Sequence, residues 1–456
     1  DTLGAVTVYS GFLTNSAGGG ALTISTLALG GGPAGSSARV DTGSGALKLG
    51  GTVTYNNAND PDTAVISGNL DLNGATRIFA VNNSLAPGTD VDLDVPAAIA
   101  GGANRGIYKT GAGVLRLRGI NTFDGALTMG NNCGTLILAH PQAAGAPSAA
   151  RAFGVGSGSS LVLDGANGDI TAPANYSTLS LNGYGDTLLG PVKAALVNWA
   201  GTNTVPSAIT LAANTYLASL SGRLALSGNI SGAYTLTAWG DGDTHLSGVL
   251  GIGGGALAKY GSGILTLAGP GNNTFSGVTY VYGGKLLLNK SGSAYAINSG
   301  AVSVYSGGVL QHAAGSANNN LINSAGIYLY GTGQLDFNGA TDAIGSISNY
   351  SASGAACDTW PVTNTAGGGN LTITTLGITP APGYMTTIDS GTGTLTLGSN
   401  VTFTATQDGR AKISGTLDLG GAHRTFTVAD GTHPNDLHVD ARVTSVSGAY
   451  GITKTT

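Results

Sequence analysis

The chain has 456 residues, of which 78 are glycine and only 9% are charged; its 18 Lys and Arg against 23 acidic residues give a net charge of −5. With no basic stripe to hold phosphates, a nucleic-acid partner is excluded, and no run of about 18 apolar residues is present to cross a bilayer as a helix. Every acidic residue is Asp and none is Glu, a good helix former; together with abundant Gly and Asn this predicts strands and turns almost throughout.

From the N-terminus, the first pattern is TNSAGGGALTISTL at Thr14, followed by DTGSGALKLG at Asp41 and SGNLDLNGATRIF at Ser67. Within it begins a finer beat, two alternating apolar residues and then a turn: Leu47/Leu49, Leu70/Leu72, Leu115/Leu117, Leu161/Leu163 and Leu179/Leu181. Alternation puts both apolar side chains on one face of a strand, and the Gly, Asn or Asp that follows suits a tight turn. Asp60/Asp62 and Asp90/Asp92/Asp94 lie in this stretch, the latter alternating with Val91, Leu93 and Val95. That alternation predicts a solvated acidic face, and Arg116 and Arg118, with Lys109 nearby, read as a solvated basic patch. A second pattern starts at Lys109 with KTGAGVLRLRG, NTFDG at Asn121 and GTLIL at Gly134.

Further on, Asp241-Gly242-Asp243 with His245 is the calcium candidate, offering carboxylates and carbonyls outside any EF-hand loop. The pattern of Lys109 then returns as KYGSGILTLAG from Lys259, NTFSG from Asn273 and GKLLL from Gly284, so that 259–288 repeats 109–138. Asn121, Phe123, Asn273 and Phe275 are the repeat's candidate ladder positions. Tyr280/Tyr282 and Tyr328/Tyr330 alternate on a strand face, where tyrosines in line offer sugars a stacking surface. The beat continues through Leu265/Leu267 and Leu335/Phe337 to Leu395/Leu397 and Leu417/Leu419. From Thr363 the opening pattern restarts as TNTAGGGNLTITTL, with DSGTGTLTLG at Asp389 and SGTLDLGGAHRTF at Ser414, so that 363–455 repeats 14–110 with a period of about 348. There Asp436, His438 and Asp440 stand where the first copy has its carboxylates, while Leu437 and Val439 keep the apolar places.

A strand beat near twenty residues is the mark of a solenoid, in which each coil hides its apolar face by stacking on the next. The expectation is an all-β, single-stack parallel β-helix with about 20 residues per coil, some twenty coils, and one continuous domain over 1–456. Cys133 and Cys357, 224 residues apart, are then too distant along the axis for a disulfide and read as buried thiols, with an intermolecular bridge as the alternative. No HExxH, Walker or paired-Cys zinc spacing occurs, and no cofactor is expected.

GSGILTLAGPGNNTFSGVTYVYGGKLLL and its partner GAGVLRLRGINTFDGALTMGNNCGTLIL resemble the autotransporter-associated β-strand repeat of bacterial passenger domains. The resemblance covers about thirty residues in each copy. It implies a right-handed parallel β-helix, an extracellular place at a bacterial surface, and a structural or adhesive role. The chain opens on strand-like sequence at Asp1 and stops at ITKTT, where the matching copy runs on into GAGVLRL. Neither end carries a charged cap, so the expected partners are copies of itself or further repeats, joined end to end, with glycans and cell surfaces as further partners. The alternative is a β-helical polysaccharide-binding or polysaccharide-degrading enzyme, which needs clustered carboxylates beside a basic residue. A third reading is an ice- or glycan-binding face built on rows such as Thr372/Thr374 and Thr394/Thr396.

Overall fold

A computed structural model describes residues 1–15, 19–86, 90–146, 151–171, 176–187, 193–314, 320–350, 359–446 and 448–456. It is 54% strand in a parallel β-solenoid of about 17 turns. Among the described residues there is no α-helix, only a 3-10 turn at Gly165–Asn167. Contacts divide the chain into two compact units, Asp1–Tyr234 and Thr235–Thr456.

Each strand pairs in parallel with one a full coil later. In Asp1–Tyr234 the coil takes 26 residues where Leu27 lies beside Val53 and 20 where Ile107 lies beside Leu127. In Thr235–Thr456 it lengthens from 21, where Leu236 lies beside Leu257, to 29, where Thr341 lies beside Asn370. The alternating pairs from Leu47/Leu49 to Leu417/Leu419 all point inward and are buried. Each coil therefore contributes a few leucines to a core that no single coil can close.

Turn chemistry follows the beat. Asn73 after Leu70/Leu72 and Asn338 after Leu335/Phe337 take left-handed φ values of 51° and 47°, a conformation Asn tolerates better than most residues. Gly134 and Gly284, equivalent in the short repeat, open their strands at φ 62° and 61°. A Cβ at Gly284 would meet the carbonyl oxygens of Gly261, Gly263 and Ser262 at 2.5, 2.6 and 2.8 Å. Here the backbone of one coil rests directly on the next.

The two copies of the long repeat fold alike, one in each unit. Leu22 beside Leu47 is matched by Leu371 beside Leu395, and Asp41 beside Ser67 by Asp389 beside Ser414. Both copies shift register just after that Asp. Side-chain fastenings match too. Arg77 donates to the carbonyls of Leu72 (Nε, 2.7 Å) and Gly50 (2.6 Å), and Arg424 to those of Leu419 (Nε, 2.7 Å) and Gly398 (2.9 Å).

In Asp1–Tyr234 a second apolar layer lies on the opposite face of the strands that carry Leu136 and Leu161. Val91, Val114, Ile137, Val162, Val197 and Ala218 form a buried cluster against Tyr216 and Leu220. Asp186 joins that face, its N–H donating to Ser160 Oγ (2.7 Å) and its carboxylate accepting from Thr135 Oγ1 (3.2 Å).

Candidate functional site

The most extended side-chain array lies in Thr235–Thr456. Strand register aligns the buried Lys259, Val281, Val304 and Leu329 from coil to coil, which brings the tyrosine that follows each of them into one column, and Tyr330 lies beside Tyr350. The rings of Tyr260, Tyr282, Tyr305, Tyr330 and Tyr350 stack in sequence with centroids 4.4, 4.7, 5.0 and 5.5 Å apart and planes within 11° to 18°. Tyr280 flanks Tyr282 at 5.7 Å, and the next outward column alternates Tyr280, Ser303, Tyr328 and Ser348. Ring spacing near the strand spacing of about 4.8 Å is what a parallel stack imposes on identical side chains. Burial pushes the Tyr282 phenol up to about 12, helped by the neighbouring Tyr260, and burial also raises Tyr330. The inner rings cover one another's faces, so a sugar meets phenolic edges along the column and an open ring only toward its ends, where Tyr260 and Tyr350 are exposed.

The acidic run of the first unit departs from the solvated face expected of it. Asp90 is exposed, but Asp92 and Asp94 are buried. Asp92 accepts the N–H groups of Ser84 (2.6 Å) and Val114 (2.7 Å); burial raises its pKa against those bonds and the charge of Lys109. Arg116 and Arg118, expected to be merely solvated, converge on Asp94 at 2.9 and 2.8 Å. Burial alone would raise Asp94, but hydrogen bonds from Arg118 and Arg116 outweigh it and hold the carboxyl below its ordinary value. The physical reason for Asp94 is the second apolar layer, since Asp94 and Arg116 head the outward column that runs on into Ile137 and Val162, whereas Asp92 is drawn in by the N–H groups it accepts.

Lys109 was expected near the surface with those arginines and is instead fully buried. Its Nζ donates to the carbonyls of Gly111 (3.0 Å) and Cys133. Lys259, its repeat equivalent, is buried and caps the carbonyls of Tyr260 (2.7 Å), Gly261 (2.8 Å) and Gly283 (3.3 Å). Burial lowers both, and Lys290, to about 8. Asn121 and Asn273 are buried corner fastenings that bridge three coils. Asn121 accepts from Ile99 N–H (2.9 Å) and donates to Ala143 O (2.6 Å); Asn273 accepts from Leu250 N–H (2.9 Å) and donates to Ala296 O (2.8 Å). Phe123 and Phe275 are buried beside them in sequence. Cys133 is a buried free thiol, and Cys357 lies outside the described residues.

At the calcium candidate, Asp241 accepts from Ser262 Oγ (2.6 Å), which lowers its pKa, and Asp243 accepts from Ile264 N–H (3.0 Å). Both carboxylates thus engage the next coil, and among the described residues no group of three or more His, Cys, Asp or Glu stands ready for a metal. The threonine rows are mixed columns: Thr341, Asn370, Thr394, Thr416 and Arg442 succeed one another, as do Ala343, Thr372, Thr396 and Asp418. In the second copy Asp440 pairs with Lys412 at 2.8 Å at the surface. Sequence reasoning passed over one buried pair, His312 Nε2 with Asp342 Oδ2 at 2.8 Å. Its two members are thirty residues apart, and no motif spacing could have joined them. No protein-family model, curated protein or solved structure matches the chain.

Proposed function

We propose that this chain is a structural and adhesive element of a bacterial exterior, an autotransporter-like passenger segment in which the stacked coils are themselves the function. The observation that carries the reading is where the carboxylates are spent. Asp92, Asp94, Asp241, Asp243 and Asp342 each accept from a neighbouring coil's N–H, hydroxyl, guanidinium or imidazole. A glycan-cleaving centre needs such groups free in a groove, one as acid and one as base or nucleophile. Copies of the same chain are the proposed partners. Both copies of the long repeat present the same register and the same arginine-capped carbonyls, so a coil of one offers a neighbour the edge that a coil of the other already fills.

Electron microscopy of native material tests this directly. Thin filaments or surface fibres with an axial repeat near 4.8 Å are expected. Dispersed particles that depolymerise a polysaccharide would overturn the reading. A second reading, polysaccharide binding without cleavage, draws on the exposed rings at the two ends of the tyrosine column. Retention on immobilised glycans that is lost in a Tyr260→Ala, Tyr350→Ala double variant would establish it.

A further inference from the structure

We propose that the tyrosine column is a site of one-electron oxidation, in which a radical formed on any ring is shared along the stack and trapped at an end ring as a tyrosine–tyrosine bond to a second copy of the chain. This goes beyond a structural role and stands or falls separately from filament formation. Four successive contacts of 4.4 to 5.5 Å with nearly parallel planes overlap the π faces of five rings. An electron deficiency spread over several overlapping rings is lower in energy than one confined to a single phenol. Each phenol of the column is protonated at neutral pH, as tyrosine ordinarily is, so each oxidation there removes a proton with the electron.

The oxidant is a peroxide acting through a haem peroxidase. It takes one hydrogen atom from each of two phenols and leaves as two waters. The two phenoxyl radicals join by one new bond between ring carbons ortho to oxygen. The two ortho C–H bonds break, and their hydrogens return to the phenol oxygens. Coupling inside the stack is disfavoured, because the rings ride on strands held about 4.8 Å apart and cannot close to a covalent bond without breaking the ladder. Tyr260 and Tyr350 end the column and are 37% and 43% exposed, so a second molecule reaches them.

Exposure alone makes a different prediction, which gives the test its force. Tyr9 and Tyr184, at 60% and 49% exposed, would react ahead of both end rings. The whole chain is treated with hydrogen peroxide and a haem peroxidase, and the cross-linked peptides are mapped by mass spectrometry alongside dityrosine fluorescence. The expected map is dominated by Tyr260 and Tyr350. Tyr305→Phe keeps the packing but interrupts the relay, and should cut the yield at those two positions several-fold, while Tyr9→Phe leaves it unchanged. A map ordered by exposure, with Tyr9 first, would overturn the proposal without reference to any variant. So would an undiminished yield at Tyr350 in a Tyr305→Phe protein whose circular dichroism matches the wild type.

Discussion

Three buried lysines should give this protein an alkaline stability optimum, and Lys109 permits the magnitude to be worked. Its ammonium is fully buried against backbone carbonyls, and burial lowers its pKa from 10.5 to about 8, with Cys133, Asp186 and Asp92 pulling the other way. Between those values the unfolded chain holds a proton that the folded chain has shed, so stability rises with pH across that window. The drop corresponds to about 3 kcal/mol of penalty at pH 7, most of it relieved by pH 10. Lys259 and Lys290 act in the same direction. Tyr55 acts oppositely: burial raises its phenol from 10.0 to about 12, so stability falls as pH climbs beyond 10. Urea midpoints followed by circular dichroism from pH 7 to 11 should therefore rise to a maximum near pH 10 and then decline. Lys109→Met should flatten part of the rise, and the difference between the two proteins isolates its share. Midpoints that fall steadily from pH 7, with wild type and Lys109→Met in parallel, would refute the assignment of a buried, destabilised ammonium.

Asn273→Ala strips the partners from Leu250 N–H and Ala296 C=O; at about 1–3 kcal/mol for each orphaned group the local loss is about 2–6 kcal/mol. Hydrogen exchange should quicken around Leu250 and Ala296, and unchanged protection there would show that the side chain is not a fastening. Gly284→Ala adds contacts with three carbonyl oxygens to the left-handed strain of about 1–2 kcal/mol. Gly74→Ala, at φ 69° with nothing within 4 Å, suffers the strain alone. Thermal unfolding should separate the two variants clearly, and equal losses would dismiss the coil-on-coil contact at Gly284.

The inward leucines were legible because a strand face repeats every second residue whatever the coil length, and Leu47/Leu49 or Leu265/Leu267 need no long-range knowledge. The long repeat was legible for the same local reason, down to Asp41 and Asp389. What escaped depends on which outer face receives a second layer. Asp92 and Asp94 alternate with apolar residues as solvated carboxylates do, yet Val91 and Val114 beside them join a buried outer cluster. The tyrosine column escaped differently. Tyr280/Tyr282 and Tyr328/Tyr330 show alternation, but Tyr260, Tyr282, Tyr305, Tyr330 and Tyr350 fall at unequal intervals because each coil has its own length. Only the strand register turns those intervals into one column.

The internal copies also indicate what kind of constraint acts on this chain. Arg77 and Arg424 cap equivalent carbonyls, Thr42 and Ser390 accept equivalent N–H groups from Asn69 and Thr416, and Lys109 and Lys259 fill equivalent corners. Carboxylates that close turns are kept as well, Asp41 and Asp71 returning as Asp389 and Asp418 with the same N–H bonds, but Asp94, held by two arginines beside Val65, is answered in the register by the exposed His438 beside Lys412. A fastening that ties one coil to the next works in any coil, because every coil presents the same kind of backbone edge. A catalytic carboxylate works only in the one groove shaped around it. On the structural reading proposed above, a chain that duplicates its fastenings and turn carboxylates but not the arginine-held Asp94 gains length by copying without having to rebuild a site.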